Sequence, residues 1–137
     1  MARATVIYDA DCGFCKVCLA LLLFWDGREH GALRPLPLGT DEADRLLADL
    51  TVEQRNASWH LVDSSGRRNS AGAALAPALE LLPGGRFPAA LVARMPHLTE
   101  RGYRSVVDHS GFLGRFVPGR ARRWADRVIA AHGGPGA

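Results

Sequence analysis

Hydrophobic positions change their period along this chain, and each change marks an element. Thr5-Val6-Ile7-Tyr8 is a β-branched run without polar alternation. It predicts a strand over 3–8 that is buried on both faces, and so central and parallel. Phe14, Val17, Cys18, Leu21, Leu22 and Trp25 then recur at i, i+3, i+4, i+7, i+8 and i+11. That is a helical stripe, widened by Leu19 and Leu23 and stopped by Asp26-Gly27. With so few polar positions, this helix should be largely buried. Leu33-Arg34-Pro35-Leu36-Pro37-Leu38 alternates at period two but carries two prolines. Proline cannot donate to a ladder, which predicts an edge strand.

Thr40 can cap a helix that has Asp41, Glu42 and Asp44 in its first turn, where the dipole favours acids, and that runs to about Leu50. Ser58-Trp59-His60-Leu61-Val62 reads as a strand on which Trp59 and His60 face opposite ways. Asp63-Ser64-Ser65-Gly66 reads as a turn, and 67–70 as the hairpin partner. Leu75, Ala78, Leu79 and Leu82 mark a helix beginning near Ser70, kinked or delayed by Pro77 and ended by Pro83-Gly84-Gly85. Beyond Gly85 the pattern is helical with breaks at Pro96, Gly111 and Pro118. Two or three short helices are expected, one carrying Leu98, Tyr103 and Val106-Val107, and the last around Trp124 and Val128-Ile129. Residues 132–137 read as a frayed tail.

The order is therefore β-α-β-α-β-β-α followed by helices. The first βαβ unit must be a crossover between parallel strands, and the hairpin adds an antiparallel pair. The class is α/β: a mixed four-stranded sheet with helices on both faces. At 137 residues the chain fits a single domain over 1–137, with a core at about 3–85 and a helical extension at about 86–132. The N-terminal residues lack the apolar core of a secretory signal. The longest obvious apolar run, Val17 to Trp25, is about half of what a membrane span needs. A soluble, cytoplasmic protein with mainly reduced thiols is expected.

The net charge of +3 conceals an asymmetry. Residues 1–85 carry 8 basic and 11 acidic groups; residues 86–137 carry 9 basic and 3 acidic. A basic C-terminal region suits either an anionic partner or a solvated helical face. Aromatic interleaving is thin and there is no nucleic-acid motif, so no nucleic-acid partner is expected.

All three cysteines fall within seven residues, Cys12 to Cys18. A secreted disulfide framework would spread them to close loops. Clustering points to redox or metal chemistry, and a Cys-x-x-Cys pair at a strand-to-helix turn is where dithiol–disulfide chemistry is most easily built.

Tyr8-Asp9-Ala10-Asp11-Cys12-Gly13-Phe14-Cys15 resembles the signature of the DCC family of predicted thiol-disulfide oxidoreductases, whose core is Asp-x-x-Cys-x-x-Cys. The element order also resembles a thioredoxin-like fold in its minimal glutaredoxin-type form. Leu36-Pro37-Leu38, His60-Leu61-Val62-Asp63 with Gly66, Ser70, Ala73-Ala74 and Tyr103 resemble further family positions, over roughly 5–115. The resemblance implies a thiol or disulfide substrate, protein or low-molecular-weight, and no organic cofactor. One departure stands beside it. Thioredoxins place a cis-proline before the third strand, opposite the cysteines; here that position falls near Ala57-Ser58, without a proline.

On this fold Cys12 sits at the helix N-terminus, where free N–H groups and the dipole favour thiolate. It is the candidate nucleophile, and Cys15, one turn in, the resolving thiol. Gly13 allows a tight turn, and Phe14 offers an apolar surface to a substrate. Asp9 and Asp11 oppose a nearby thiolate, accept a proton from the resolving cysteine, or bond loop N–H groups as turn residues. Lys16 either steadies a thiolate or is solvated. Ser70 and Tyr103 either line the site or serve as helix cap and core residue. Cys18 lies on the apolar stripe, which predicts a buried, inert thiol. The alternative joins Cys12, Cys15 and Cys18 in a metal site completed by His30, His60 or His109, or makes the cluster part of a partner-binding module or a non-turnover redox sensor. No histidine has ligand spacing to the cysteines, a four-ligand cluster needs one more cysteine, and positions 12 and 18 lie about 600° apart in helical angle, which splays them.

Overall fold

The computed structural model describes residues 4–10, 12–27, 31–109 and 115–132. Its strands are β1 (Ala4–Tyr8), β2 (Leu33–Pro37), β3 (His60–Val62) and β4 (Arg68–Ser70), hydrogen-bonded in the order β2-β1-β3-β4. β1 pairs with β2 in parallel and with β3 antiparallel, and β3 pairs antiparallel with β4. This is the mixed sheet of a thioredoxin-like fold. Every residue of β1 is buried, as a central strand requires. β2 is an edge strand, and its prolines fit by parity. Leu38 N–H donates to Tyr8 O, so Pro37 and Pro35, one and three positions earlier, turn their nitrogens away from β1.

Alternation along β1 builds two cores. Val6 and Tyr8 face one side with Leu33 and Leu61. There Leu19 and Leu23 of α1 (Gly13–Asp26), Ala78 and Leu79 of α4 (Leu75–Leu81), Ala89 of α5 (Arg86–Ala93) and Ile129 of α7 (Gly119–Ala131) cover them. Ile7, Leu36 and Val62 face the other side, under Ala43 of α2 (Asp41–Leu46) and Leu47. Full burial of side chains such as Leu23 is worth roughly 1.5–3 kcal/mol each. α6 (Pro96–Asp108) packs on the 3₁₀ turn Ala71–Ala74. A Cβ on Gly72 would stand 3.0 Å from the Glu100 Cα, so that approach requires glycine. Gly72 N–H donates to Glu100 Oε2 at 3.1 Å, which fixes the helix that carries Tyr103.

Several expectations need correction. The buried face of α1 is Leu19, Ala20, Leu23 and Asp26, whereas Leu21 (56%) and Trp25 (42%) are exposed, as is Cys18. A helix apolar all round carries no periodic signal for which face is buried. The choice is made by what packs on it, here the sheet and α7. The predicted burial of Cys18 is therefore overturned. The helix expected to reach Leu50 ends at Leu46, and a further helix, α3 (Val52–Ala57), follows. Thr51 and Gln54 form a reciprocal capping box there, a Thr-x-x-Gln signal that the hydrophobic pattern does not display. Pro77 does delay α4, which starts at Leu75 after the 3₁₀ turn. Pro96 is the first residue of α6 and so starts a helix as well as breaking one. His132 is not frayed: it is buried beside Asp26, with His132 Nε2 3.8 Å from Asp26 Oδ2. The Asp26 carboxylate in turn accepts from Ala32 and Leu33 N–H, each at 3.1 Å, tying the end of α1 to the start of β2. Gly111 and residues 133–137 lie outside the described residues. No helix among the described residues is long and apolar enough to cross a membrane.

Candidate active site

The chain leaves β1 at Tyr8, turns, and enters α1 with Cys12 as its N-cap. Cys12 N–H donates to Asp9 O at 3.3 Å, which closes the turn. The Cys12 backbone is extended (φ −97°, ψ 108°), and its Sγ accepts the Cys15 N–H at 3.2 Å. The first N–H groups of a helix have no intrahelical partner. Here one of them is aimed at a sulfur.

Cys15 lies one turn in and is half-buried. Its thiol is pushed up to about 12, first by burial, then by a hydrogen bond to the Cys12 side chain and by the charges of Cys12, Asp9 and Cys18. The two thiols are thus placed unequally. Cys12 receives a backbone donor, whereas Cys15 sits where a second negative charge is opposed. Cys18 is exposed as a residue, yet enough protein surrounds its sulfur to push its thiol up, and the Cys12 charge adds to the shift.

Asp9 is exposed, and its charge acts on Cys15. Asp11, the other carboxylate singled out from the sequence, lies outside the described residues, as does His30. Gly13 and Phe14 are both half-buried on the first turn of α1. Lys16 is partly exposed and turns to α7. Its Nζ bonds Asp126 Oδ1 of α7 at 2.9 Å.

Tyr103 reaches the site from α6. Burial raises its phenol; hydrogen bonds from the Trp59 backbone and the Ser58 side chain pull it back, and the nearby Cys15 and Glu100 charges raise it. The loop before β3, where the thioredoxin proline would stand, is therefore linked to the cysteines through Tyr103. Ser70 is at the same end of the sheet but two strands away, and its Oγ lies 2.6 Å from His60 Nδ1. It makes no side-chain cap to the 3₁₀ turn that follows. His60 is the fully buried member of the Trp59–His60 pair. Trp59 is half-buried against the larger core.

Sequence reasoning missed Arg122. A Cβ built on Gly13 would stand 2.8 Å from Arg122 Nε and 3.1 Å from Cζ, so the guanidinium of α7 lies directly on the glycine between the two cysteines. A contact across more than a hundred residues leaves no local signal. Among the described residues, no group of three or more His, Cys, Asp and Glu side chains is placed to hold a metal ion.

Neither curated proteins nor solved structures give a significant match to this chain. A profile of DCC1-like thiol-disulfide oxidoreductases matches residues 6–115, most of the chain, and the match contains the turn, both cysteines and Tyr103. The chain thus belongs to the DCC1-like thiol-disulfide oxidoreductase family.

Proposed function

We propose that the protein is a cytoplasmic thiol-disulfide oxidoreductase that cycles Cys12 and Cys15 between dithiol and disulfide. The observation that carries this reading is the unequal placement of the two thiols. Cys12 Sγ accepts a helix N-terminal N–H at 3.2 Å, while Cys15 is held protonated against it. The Cys12 thiolate attacks one sulfur of a substrate disulfide, a Cys12–substrate disulfide forms, and the other substrate sulfur leaves as thiolate and takes up a proton. Cys15 then loses its proton and attacks Cys12. The second substrate thiolate is released, and a Cys12–Cys15 disulfide remains. The substrate has gained two electrons and the protein has lost two. The reverse sequence oxidises a dithiol. Asp9, whose charge reaches Cys15, accepts the Cys15 proton in the second step. Tyr103 lines the site on the side of the β3 loop, and Phe14 supplies an apolar contact beside the nucleophile. A cluster confined to seven residues, rather than spread as a framework, supports a reducing compartment.

Two variants test the assignment against a small disulfide with a reductant. Cys12→Ser should reduce turnover to background. Cys15→Ser should still be attacked at Cys12 and accumulate a mixed disulfide, visible as an added mass on the intact protein. Undiminished turnover in Cys12→Ser would remove the proposal.

A further inference from the structure

We infer that the C-terminal half of α1 and the adjoining face of α7 form a docking surface for an anionic lipid bilayer, on which the protein lies without crossing it. Leu21, Phe24 and Trp25 fall at i, i+3 and i+4 of α1 and so share one face. All three are exposed, Phe24 to 69%. The face continues onto α7, where the half-buried Trp124 ring stands 6.1 Å from the Phe24 ring, centroid to centroid. The Trp25 indole N–H donates to Pro83 O at 2.8 Å, which leaves an exposed ring whose polar atom is already satisfied. Large apolar side chains gathered on one surface mark a place where something docks.

The charges around this face select the occupant. On α7, Arg120 lies four residues before Trp124 and Arg127 three after it, so both flank the ring, and both are exposed. The acids of these two helices stand elsewhere. Asp26 is buried. Asp126 is two residues beyond Trp124, roughly 200° round the helix, and Lys16 bonds it at 2.9 Å. A twofold contact would put the same patch on both subunits, so a second copy would meet these arginines with no acid of α1 or α7 to pair them. The face is also the outer side of two packed helices, so it projects and offers a protein segment no groove. A bilayer interface accepts projecting aromatic rings, and its anionic headgroups meet the arginines. Phe24 lies about 18 Å along α1 from Cys12, at about 1.5 Å per residue, so docking keeps the cysteine turn clear for substrate.

The test sediments the full chain, kept reduced, with vesicles of phosphatidylcholine alone or with phosphatidylglycerol added. Wild type should bind only the second kind, and less as salt rises. Lipids brominated in their acyl chains should quench its tryptophan fluorescence. Arg120→Gln with Arg127→Gln should weaken binding about twenty-five-fold, about fivefold for each arginine near such a surface. Phe24→Ser should weaken it about tenfold through lost apolar burial. Arg67→Gln with Arg101→Gln removes the same charge from the β3–β4 turn and α6, and should weaken binding far less. Only variants that keep the wild-type circular dichroism spectrum and melting temperature are compared. No binding to the anionic vesicles, equal binding to both kinds, or equal losses in the two arginine pairs would overturn the docking surface. So would a dimer of the free protein that Phe24→Ser dissociates, since a second copy would then cover the face.

Discussion

At the scale of single residues the account turns on Cys12 and Cys15. Both were legible in the sequence, because the Cys-x-x-Cys stands between a β-branched run and a helical apolar stripe, which places it at a helix start. Their inequality was legible in outline, since one cysteine caps the helix and the other lies a turn inside it. The magnitude was not, because it depends on burial of Cys15 and on the Cys12 sulfur facing it. A thiol raised from 9.0 to about 12 is protonated at neutral pH, and at pH 8 it holds about a thousandfold less thiolate than an ordinary cysteine. Iodoacetamide labelling of the reduced protein followed by peptide mass spectrometry should therefore modify Cys12 well before Cys15, and Cys15 should respond only under strongly alkaline conditions. Equal labelling of the two near pH 8 would contradict the assigned roles. Cys18 shows the limit of one-dimensional reading. On a helix with apolar residues on every face, the stripe from Phe14 to Trp25 was as regular as the true buried stripe, and only α7 and the sheet decide between them.

At the scale of elements, the strands were read well because their signals are local: a β-branched run, a proline-bearing alternation, an Asp-Ser-Ser-Gly turn. The Asp63 carboxylate takes the Ser65 and Arg67 N–H groups at 2.9 and 3.0 Å, which is why that turn was visible in the sequence. α3 was missed because it is polar, and its capping box was the only sign of it. One buried link between elements has a pH consequence. His60 of β3 donates Nε2–H to Arg55 O of α3 at 3.0 Å, since a carbonyl only accepts, so its Nδ1 accepts from the Ser70 hydroxyl of β4. Burial lowers its pKa, the Arg55 carbonyl opposes that, and the Arg68 charge lowers it further. The sign follows from linkage. The unfolded histidine takes up a proton as pH falls through 6.5, and the folded one resists until lower pH. This contribution to stability is thus present above 6.5 and lost as pH falls toward the folded value. Urea unfolding at pH values on either side of 6.5 should show stability falling on acidification, with a shallower fall in His60→Gln. An identical pH slope in the variant would contradict this role for His60.

For the whole molecule, the mixed sheet and the helices on both its faces followed from the order of elements. The packing of the last helix did not. α7 buries Ala125 and Ile129 against α1, bonds Lys16 through Asp126, and brings Arg122 onto Gly13. The basic C-terminal half, read from composition as a solvated face or a docking surface, thereby places one of its arginines against the redox turn. Hydrophobic periodicity located this helix but carries no information about what it lies on. The central claim is that Cys12 and Cys15 form a reversible two-electron couple, and one experiment addresses it most directly. The protein is equilibrated with glutathione buffers of graded ratio, quenched with acid, and mapped by mass spectrometry. A single transition between dithiol and a Cys12–Cys15 disulfide, with Cys18 still alkylatable throughout, is the expected result. No disulfide at the most oxidising ratio, or a disulfide that excludes Cys12, would contradict the account.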